Sequence, residues 1–116
     1  MLTIYGIPAC NTMKKTFEFL QEKSITYIFH NYKKQGISAE DLGKFIAHLG
    51  LESVFNKQGS TYKKLSESEK NLLNDPDMAF QFLLKNNSAI KRPVITDGKR
   101  FIAGLNTINL DKWLNN

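Results

Sequence analysis

The chain has 116 residues, of which 41% are hydrophobic and 23% charged, which is enough for one domain with a real core and too little for two. Its single cysteine excludes an internal disulfide framework, and no apolar run approaches the length needed to cross a membrane. The formal net charge of +5 favours anionic partners, but the lysines are spread along the chain without a basic tail, so we expect no nucleic-acid partner.

The first predicted element is a strand over Leu2–Tyr5, which ends where Gly6 and Pro8 interrupt the apolar stretch. No basic region precedes that stretch, so Met1–Ile7 is typical of a strand and not of a signal peptide. With one cysteine and no secretion signal, we expect a cytoplasmic monomer, a single domain over residues 1–116, with no membrane partner.

A helix is predicted directly after Cys10. Met13, Phe17 and Leu20 recur there at the spacing of one helical face, with charged residues off that face. The following stretch, Thr26–Tyr32, is rich in aromatic and β-branched residues and predicts a second strand.

Three helices are predicted in the middle of the chain. The first is capped by Ser38 and ends at Gly50, where a left-handed residue is expected. A capping box beginning at Ser66 starts a shorter helix. Asp77 is the predicted cap of the third helix, which runs to about Asn86.

After this helix, the spacing of the apolar residues changes from that of helices to that of a β-hairpin. Pro93–Thr96 and Arg100–Ala103 are strand-like, and the Asp97–Gly98 step predicts a turn between them. A last helix with Leu110, Trp113 and Leu114 on its apolar face follows. The order β-α-β-α-α-α-β-β-α is that of an α/β thioredoxin-like fold with a helical insertion, although periodicity alone leaves other α/β sandwiches open.

Cys10 lies at the predicted junction of a strand and a helix, where unpaired backbone N–H groups and the helix dipole stabilise a thiolate. Thr12 offers a hydroxyl to the same turn, and Lys14 and Lys15 add positive charge. A lone cysteine is often a buried structural residue, but the polar neighbours Asn11 and Thr12 predict partial exposure here. The pattern therefore favours a nucleophilic cysteine.

Three sequence blocks resemble the arsenate reductase (ArsC), Spx and YffB family. Residues 5–12 match the family's Y-x-x-x-x-C-x-T signature, and residues 91–95, K-R-P-V-I, match its R-P-[IVL] element. Between them, residues 56–65, N-K-Q-G-S-T-Y-K-K-L, resemble the central block of YffB-type members. The resemblance covers residues 2–115, with the YffB-type members most similar, and implies the ArsC-type thioredoxin-like fold.

The resemblance also implies roles for residues far from Cys10. Pro93 would be the cis-proline of thioredoxin-like folds, although a trans proline opening an edge strand is the ordinary reading of a proline taken alone. Arg92 would point its guanidinium at the Cys10 sulfur or at an anionic substrate, and the alternative is a surface arginine. Asn11, Thr12, Lys14, Lys91 and Pro93 would bind the substrate or the thiol.

The chain departs from the arsenate reductases of this family where they place further arginines. Asn56 and Gln58 stand in the central block, and residues 104–106 contain no arginine. A single matched arginine binds a doubly charged oxyanion poorly, because lysine does not supply the planar, two-pronged hydrogen bonding of arginine. Lys57 and Lys91 would compensate for the missing arginines only in part. Arsenate reduction is therefore an alternative function and not the leading one.

Spx-type regulators carry C-x-x-C and act on RNA polymerase. Here Met13 takes the second position, which excludes an intramolecular disulfide switch, and a regulatory or non-enzymatic binding protein is a further alternative. The leading hypothesis is an enzyme, a thiol oxidoreductase that uses Cys10, with glutathione or glutaredoxin as external thiol donor and a small anionic or thiol substrate. We expect no bound cofactor and no metal, because no metal-ligand cluster is present in the sequence.

Overall fold

The computed structural model describes all residues, 1–116, as four strands and eight helices in the order that follows. The elements are β1 (Leu2–Gly6), α1 (Asn11–Glu22), β2 (Tyr27–Asn31), α2 (Tyr32–Gln35), α3 (Ala39–Leu49), α4 (Leu51–Val54), α5 (Ser60–Lys63), α6 (Glu67–Leu72), α7 (Pro76–Lys85), β3 (Val94–Thr96), β4 (Phe101–Ala103) and α8 (Thr107–Leu114). A single 3₁₀ turn, Asn87–Ala89, connects α7 to the segment before β3. No helix is both long and apolar enough to span a membrane.

The four strands form one mixed sheet in the order β2-β1-β3-β4. β1 pairs in parallel with β2 and antiparallel with β3, and β3 pairs antiparallel with β4. A βαβ unit followed by a ββα unit on one sheet is the thioredoxin-like arrangement, and the helices α2 to α7 are inserted between β2 and β3. The predicted fold class is confirmed.

The sheet separates two hydrophobic clusters. Neighbouring residues of a strand point to opposite faces. Ile4 and Ile95 accordingly belong to the cluster under α1 and α8, whereas Tyr5 and Val94 belong to the larger cluster under the inserted helices. All four side chains are buried, so both faces of β1 and β3 are covered and the register of these two strands is fixed by the core.

Helix caps were predicted correctly at two of the three middle helices. The Ser38 hydroxyl accepts a hydrogen bond from the Asp41 backbone N–H, and Gly50 ends α3 with φ 86°. Ser66 begins α6 with a complete capping box. The prediction of Asp77 as the cap of α7 is wrong. The cap is Asp75, whose Oδ1 accepts from the Asp77 N–H at 2.9 Å.

The proline next to Asp75 explains the shift of that cap. Pro76 occupies the first turn of α7, where its missing N–H is no loss and its fixed φ suits a helix. The residue before the proline is then the one with extended backbone and a free side chain for capping.

The three short helices α2, α4 and α5 were not predicted. Each has four residues, which is too short for a helical period to show in the sequence. The second strand also ends one residue early. Asn31 accepts a hydrogen bond from the Lys33 N–H and starts α2, which takes Tyr32 out of the strand and buries it completely.

The hairpin is confirmed, with a turn that extends over Asp97–Arg100. The Asp97 N–H donates to the Arg100 carbonyl oxygen at 3.3 Å, and Gly98 has φ 98°. The Asp97 carboxylate in turn accepts from the backbone N–H groups of Lys99 and Arg100. These contacts delay the second strand to Phe101.

Gly6 and Met13 pack against each other where β1 ends and α1 begins. A Cβ atom added at Gly6 would lie 2.5 Å from the sulfur of Met13, a distance that real contacts do not reach. Met13 is completely buried in the cluster under α1. The thioether therefore fills the space that a side chain at position 6 would need.

Candidate active site

Cys10 is the N-cap residue of α1. Its backbone is extended, with φ −133° and ψ 134°, and its carbonyl oxygen accepts the N–H of Lys14 at 3.0 Å. The side chain does not cap the helix, and the free thiol is half-buried. The sulfur is thus held at the positive end of a twelve-residue helix, on the residue that joins it to the loop after β1.

Arg92 is brought to Cys10 by the pairing of β1 with β3. Val94 lies opposite Tyr5, so the residues before β3 meet the loop that precedes α1. The Arg92–Pro93 peptide bond is cis, as expected. The Arg92 guanidinium donates through Nη1 to the Ser88 carbonyl oxygen at 2.9 Å, while its Nε is buried and has no partner.

The surroundings of Cys10 favour the thiolate. Partial burial raises the pKa of the Cys10 thiol, but this effect is outweighed by the Met13 backbone N–H, the Arg92 side chain and the Thr12 backbone N–H, whose dipoles and charge favour the thiolate. The positive charge of Arg92 acts in the same direction. The net result is a Cys10 pKa below the ordinary value for a thiol.

An open cavity of about 410 Å³ lies over the sulfur. It is lined by residues from four separate parts of the chain: Cys10, Thr12, Asn56, Lys91, Arg92, Ala103, Gly104, Leu105 and Asn106. Of the predicted site residues, the structure therefore brings Cys10, Thr12, Lys91 and Arg92 together.

The other predicted site residues lie elsewhere. Pro93 is buried and does not line the cavity. Asn11 and Lys14 are exposed and are not among the lining residues either. Lys14 contributes through its backbone N–H to the first turn of α1, and its charge is not among the causes that lower the Cys10 pKa.

Asn56 and Asn106 line the cavity, although neither was singled out as a site residue. Asn56 and residues 104–106 are places where the resemblance implies arginines that this chain lacks. That difference is the signal in the sequence for these two positions, since a position that carries a functional arginine in relatives faces the site. Here the two positions present uncharged amides to the cavity.

A short pairing of two distant segments places Asn56 and Lys91 side by side. Phe55 and Ile90 form an isolated antiparallel bridge. The Asn56 N–H donates to the Ala89 carbonyl oxygen at 2.8 Å, and the Lys91 N–H donates to the Val54 carbonyl oxygen at 2.7 Å. No local sequence pattern predicts this bridge, because its partners, Phe55 and Ile90, are 35 residues apart in the chain.

Gly104 leaves room for the side chain of Lys91. A Cβ at Gly104 would lie 3.2 Å from Cε of Lys91, and the glycine has φ 80°, which L side chains rarely adopt. The Gly104 N–H donates to the Pro93 carbonyl oxygen at 2.8 Å. The glycine thus lets the end of β4 approach both the proline and the lysine stem.

The arrangement suits nucleophilic thiol chemistry and offers no metal centre. A thiolate favoured by backbone donors and a guanidinium opens into a cavity that also contains Lys91. No group of three or more histidine, cysteine, aspartate or glutamate side chains is placed to hold a metal ion. His30 instead contacts the Gly36 carbonyl oxygen at 2.7 Å within the fold.

Known proteins are similar to this chain over nearly all of its length. The protein named YFFB (PA3664) has a solved structure that matches with a TM-score of 0.90 and 38% identity over 97% of each chain. An arsenate reductase (ArsC) related protein from Brucella melitensis matches with a TM-score of 0.76 and 32% identity, over 99% of this chain and 95% of that one. The global transcriptional regulator Spx of Listeria innocua is 25% identical over 116 residues, 98% of this chain and 87% of that protein. The family model described as ArsC family matches residues 5–112, and the chain therefore belongs to the ArsC family.

Proposed function

We propose that the protein is a thiol oxidoreductase that uses Cys10 as its nucleophile and glutathione or glutaredoxin as the external thiol donor. The observation that carries this proposal is the lowered pKa of Cys10 at the bottom of an open cavity lined by Arg92 and Lys91. A thiolate of lowered pKa beside two cations is suited to an anionic disulfide or thiol substrate.

The proposed reaction is thiol–disulfide exchange. The Cys10 thiolate attacks one sulfur of a disulfide, a new S–S bond forms to Cys10, and the original S–S bond breaks. The leaving thiolate carries away the electron pair of the broken bond and takes a proton from water. Arg92 stabilises the Cys10 thiolate as the attacking group and also as the leaving group when the mixed disulfide is resolved.

Resolution of the mixed disulfide requires a second thiol from outside the chain. Cys10 is the only cysteine, so no residue of the protein itself can attack the intermediate. A glutathione thiolate attacks the sulfur that came from the substrate and breaks its bond to Cys10, which restores the Cys10 thiolate and releases a mixed disulfide of the substrate thiol with glutathione. A reducing cytoplasm would supply that donor.

Mass spectrometry of the protein with oxidised glutathione tests the proposal. We expect one glutathione adduct per chain, located on Cys10, and complete reversal by reduced glutathione. The Cys10→Ser variant is the control and should gain no adduct. A wild-type protein that stays unmodified at neutral pH while still folded would contradict the proposal.

Arsenate reduction is the second candidate, favoured by the similarity to the arsenate reductase related protein of Brucella melitensis. In such a reaction Cys10 would attack arsenate instead of a disulfide. The amides of Asn56 and Asn106 in the cavity provide no charge for a doubly negative oxyanion, so we place this activity behind disulfide exchange.

A regulatory role without enzymatic turnover is the third candidate. The relatives named as global transcriptional regulators match 98% of this chain, so the expectation of no nucleic-acid partner is not supported. An unreactive Cys10 in the glutathione experiment would favour this candidate over both enzymatic ones.

A further inference from the structure

Two buried side-chain atoms of the protein lack a hydrogen-bonding partner. They are the hydroxyl oxygen of Tyr32, at the start of α2, and Nε of Arg92, shortly before β3. An unpaired polar group in the interior costs free energy, so a partner within reach of each atom is expected. A guanidinium Nε–H only donates, and a hydroxyl oxygen accepts. The two atoms are therefore complementary to each other.

The segment that holds Arg92 is tied to Tyr32 by a side-chain hydrogen bond. Asn87 donates through Nδ2 to the Tyr32 carbonyl oxygen at 3.0 Å, and the next residue, Ser88, accepts from Nη1 of Arg92 at 2.9 Å. Tyr32 also belongs to the same buried cluster as Ile90, two residues before Arg92. These contacts place Tyr32 next to the turn on which the guanidinium is anchored.

The phenol of Tyr32 is neutral at the pH at which Cys10 titrates. Burial raises the pKa of Tyr32 far above its ordinary value and Tyr5 acts in the same direction, whereas the positive charge of Arg92 lowers it. The charge of Arg92 is thus close enough to act on this hydroxyl. Because the hydroxyl is neutral and Nε has only a proton to offer, the oxygen of Tyr32 is the acceptor of any hydrogen bond between them.

The ring of Tyr32 is held on two sides by other rings. It stacks on Tyr5 with centroids 6.3 Å apart, and the imidazole of His30 meets it edge-on, also at 6.3 Å. Tyr5 is in turn fixed by an edge contact with Phe45 at 4.8 Å. A hydroxyl on such a ring has a fixed position, so a guanidinium bound to it keeps one orientation.

We propose that Tyr32 is a positioning residue for the chemistry of Cys10, whose hydroxyl accepts the Nε–H of Arg92 directly or across one water. Ser88 then holds the guanidinium at Nη1 and Tyr32 holds it at Nε, which leaves the other N–H groups available to the cavity over Cys10. The inference rests on the proposed function, because that reaction needs Cys10 as a thiolate. Tyr32 does not line the cavity and acts through Arg92.

The NMR signals of the arginine side chains test this contact directly. Arg92 and Arg100 are the only arginines, so two Nε–H signals are expected, and Arg92→Ala assigns them. Tyr32→Phe keeps the ring and removes only the hydroxyl. In this variant the Nε–H signal of Arg92 should move and exchange faster with solvent. The signal of Arg100, whose Nε donates to Asp97 at 2.8 Å, should stay unchanged and is the internal control.

The pH dependence of iodoacetamide alkylation measures the effect on Cys10. Tyr32→Phe should shift the profile to higher pH and slow alkylation at neutral pH by roughly two- to fivefold, the effect of one hydrogen bond of ordinary strength. Tyr5→Phe is the matched control, because it removes a tyrosine hydroxyl from the same buried cluster and Tyr5 does not act on the Cys10 pKa. In an Arg92→Ala background, Tyr32→Phe should have no further effect.

The outcomes separate the role of Tyr32 from the proposed reaction. An unchanged Arg92 signal or alkylation profile in Tyr32→Phe would overturn the inference, and so would effects of Tyr32→Phe and Arg92→Ala that simply add. An Nε–H of Arg92 that exchanges in the wild-type protein as fast as that of free arginine would overturn it without any variant. A shifted profile in a protein that forms no glutathione adduct would support the role of Tyr32 and contradict the oxidoreductase.

Discussion

Arg92 donates a hydrogen bond of 2.9 Å through Nη1 to the carbonyl oxygen of Ser88, on the segment between α7 and β3. The same guanidinium lowers the pKa of Cys10. Because the protein backbone holds the positive charge, it remains beside the sulfur whether Cys10 is charged or neutral. The segment between α7 and β3 thus contributes to the stability of the thiolate because it anchors Arg92.

Replacement of Arg92 should raise the pKa of Cys10. Arg92→Ala removes a side chain whose dipole and positive charge favour the thiolate, and leaves the backbone N–H groups of Thr12 and Met13 in place. The pH dependence of iodoacetamide alkylation should therefore shift to higher pH, with slower alkylation at neutral pH. Lys91→Gln is the control, because Lys91 shares the cavity and does not act on this pKa. Equal shifts in both variants would contradict the role of Arg92.

The ionisation of Cys10 should make the stability of the protein depend on pH. A pKa that is lower in the folded than in the unfolded chain stabilises the folded state. This contribution is fully present above the unfolded thiol pKa of about 8.5 and is lost as the pH falls through the folded pKa. Urea unfolding of the wild type and of Cys10→Ser under reducing conditions measures it. The wild type should gain stability relative to the variant as the pH rises, and a constant difference would contradict the lowered pKa.

The cap of α7 gives a stability prediction that separates two neighbouring aspartates. Asp75→Ala should lower the free energy of unfolding by about 1 kcal/mol, because the N–H of Asp77 loses its acceptor. Asp75→Asn should retain most of the stability, since asparagine caps as well as aspartate. Asp77→Ala should cost less than Asp75→Ala in the same urea titrations, and the reverse order would show that Asp77 is the cap.

Arsenate should be a poor substrate. Arg92 is the single arginine in the cavity, and Asn56 and Asn106 present neutral amides at the other two positions. Arsenate-dependent oxidation of NADPH, coupled through glutathione, glutaredoxin and glutathione reductase, should stay close to the background without the protein. Turnover similar to that of a dedicated arsenate reductase, run as the positive control, would make arsenate reduction the leading function.

The elements that could be predicted from the sequence are those specified by residues close together in the chain, such as caps, turns and a periodic apolar face. The cap at Ser38, the stop at Gly50 and the periodic apolar face between them predict α3. The βαβ pattern at the start of the chain and the hairpin near its end predict the fold class. The short helices carry too few residues for a period. At α7 the local signal is Pro76, which occupies the first turn and makes Asp75 the cap in place of Asp77.

The residues of the candidate site likewise differ in whether their positions can be predicted from the local sequence. Cys10 is recognisable from its strand-to-helix junction, because the chemistry of a helix N-terminus is a local property. The approach of Asn56 to Lys91 depends on hydrogen bonds between segments that are far apart in the chain. Only the family resemblance related these distant positions to Cys10, and it could not show that Lys14 lies outside the cavity.

The packing of Met13 against Gly6 sets a condition for engineering a second thiol into this protein. Met13→Cys would create a C-x-x-C sequence, but it would also empty part of the buried space that the thioether fills beside Gly6. The backbone of Gly6 lies outside the left-handed region, so alanine is allowed there once Met13 has been shortened. In thermal unfolding, Met13→Cys combined with Gly6→Ala should be more stable than Met13→Cys alone, whereas Gly6→Ala alone should be destabilising. A change from one to two cysteines at this helix terminus thus costs stability unless a second substitution, in the strand that precedes the reactive residue, refills the space that Met13 leaves.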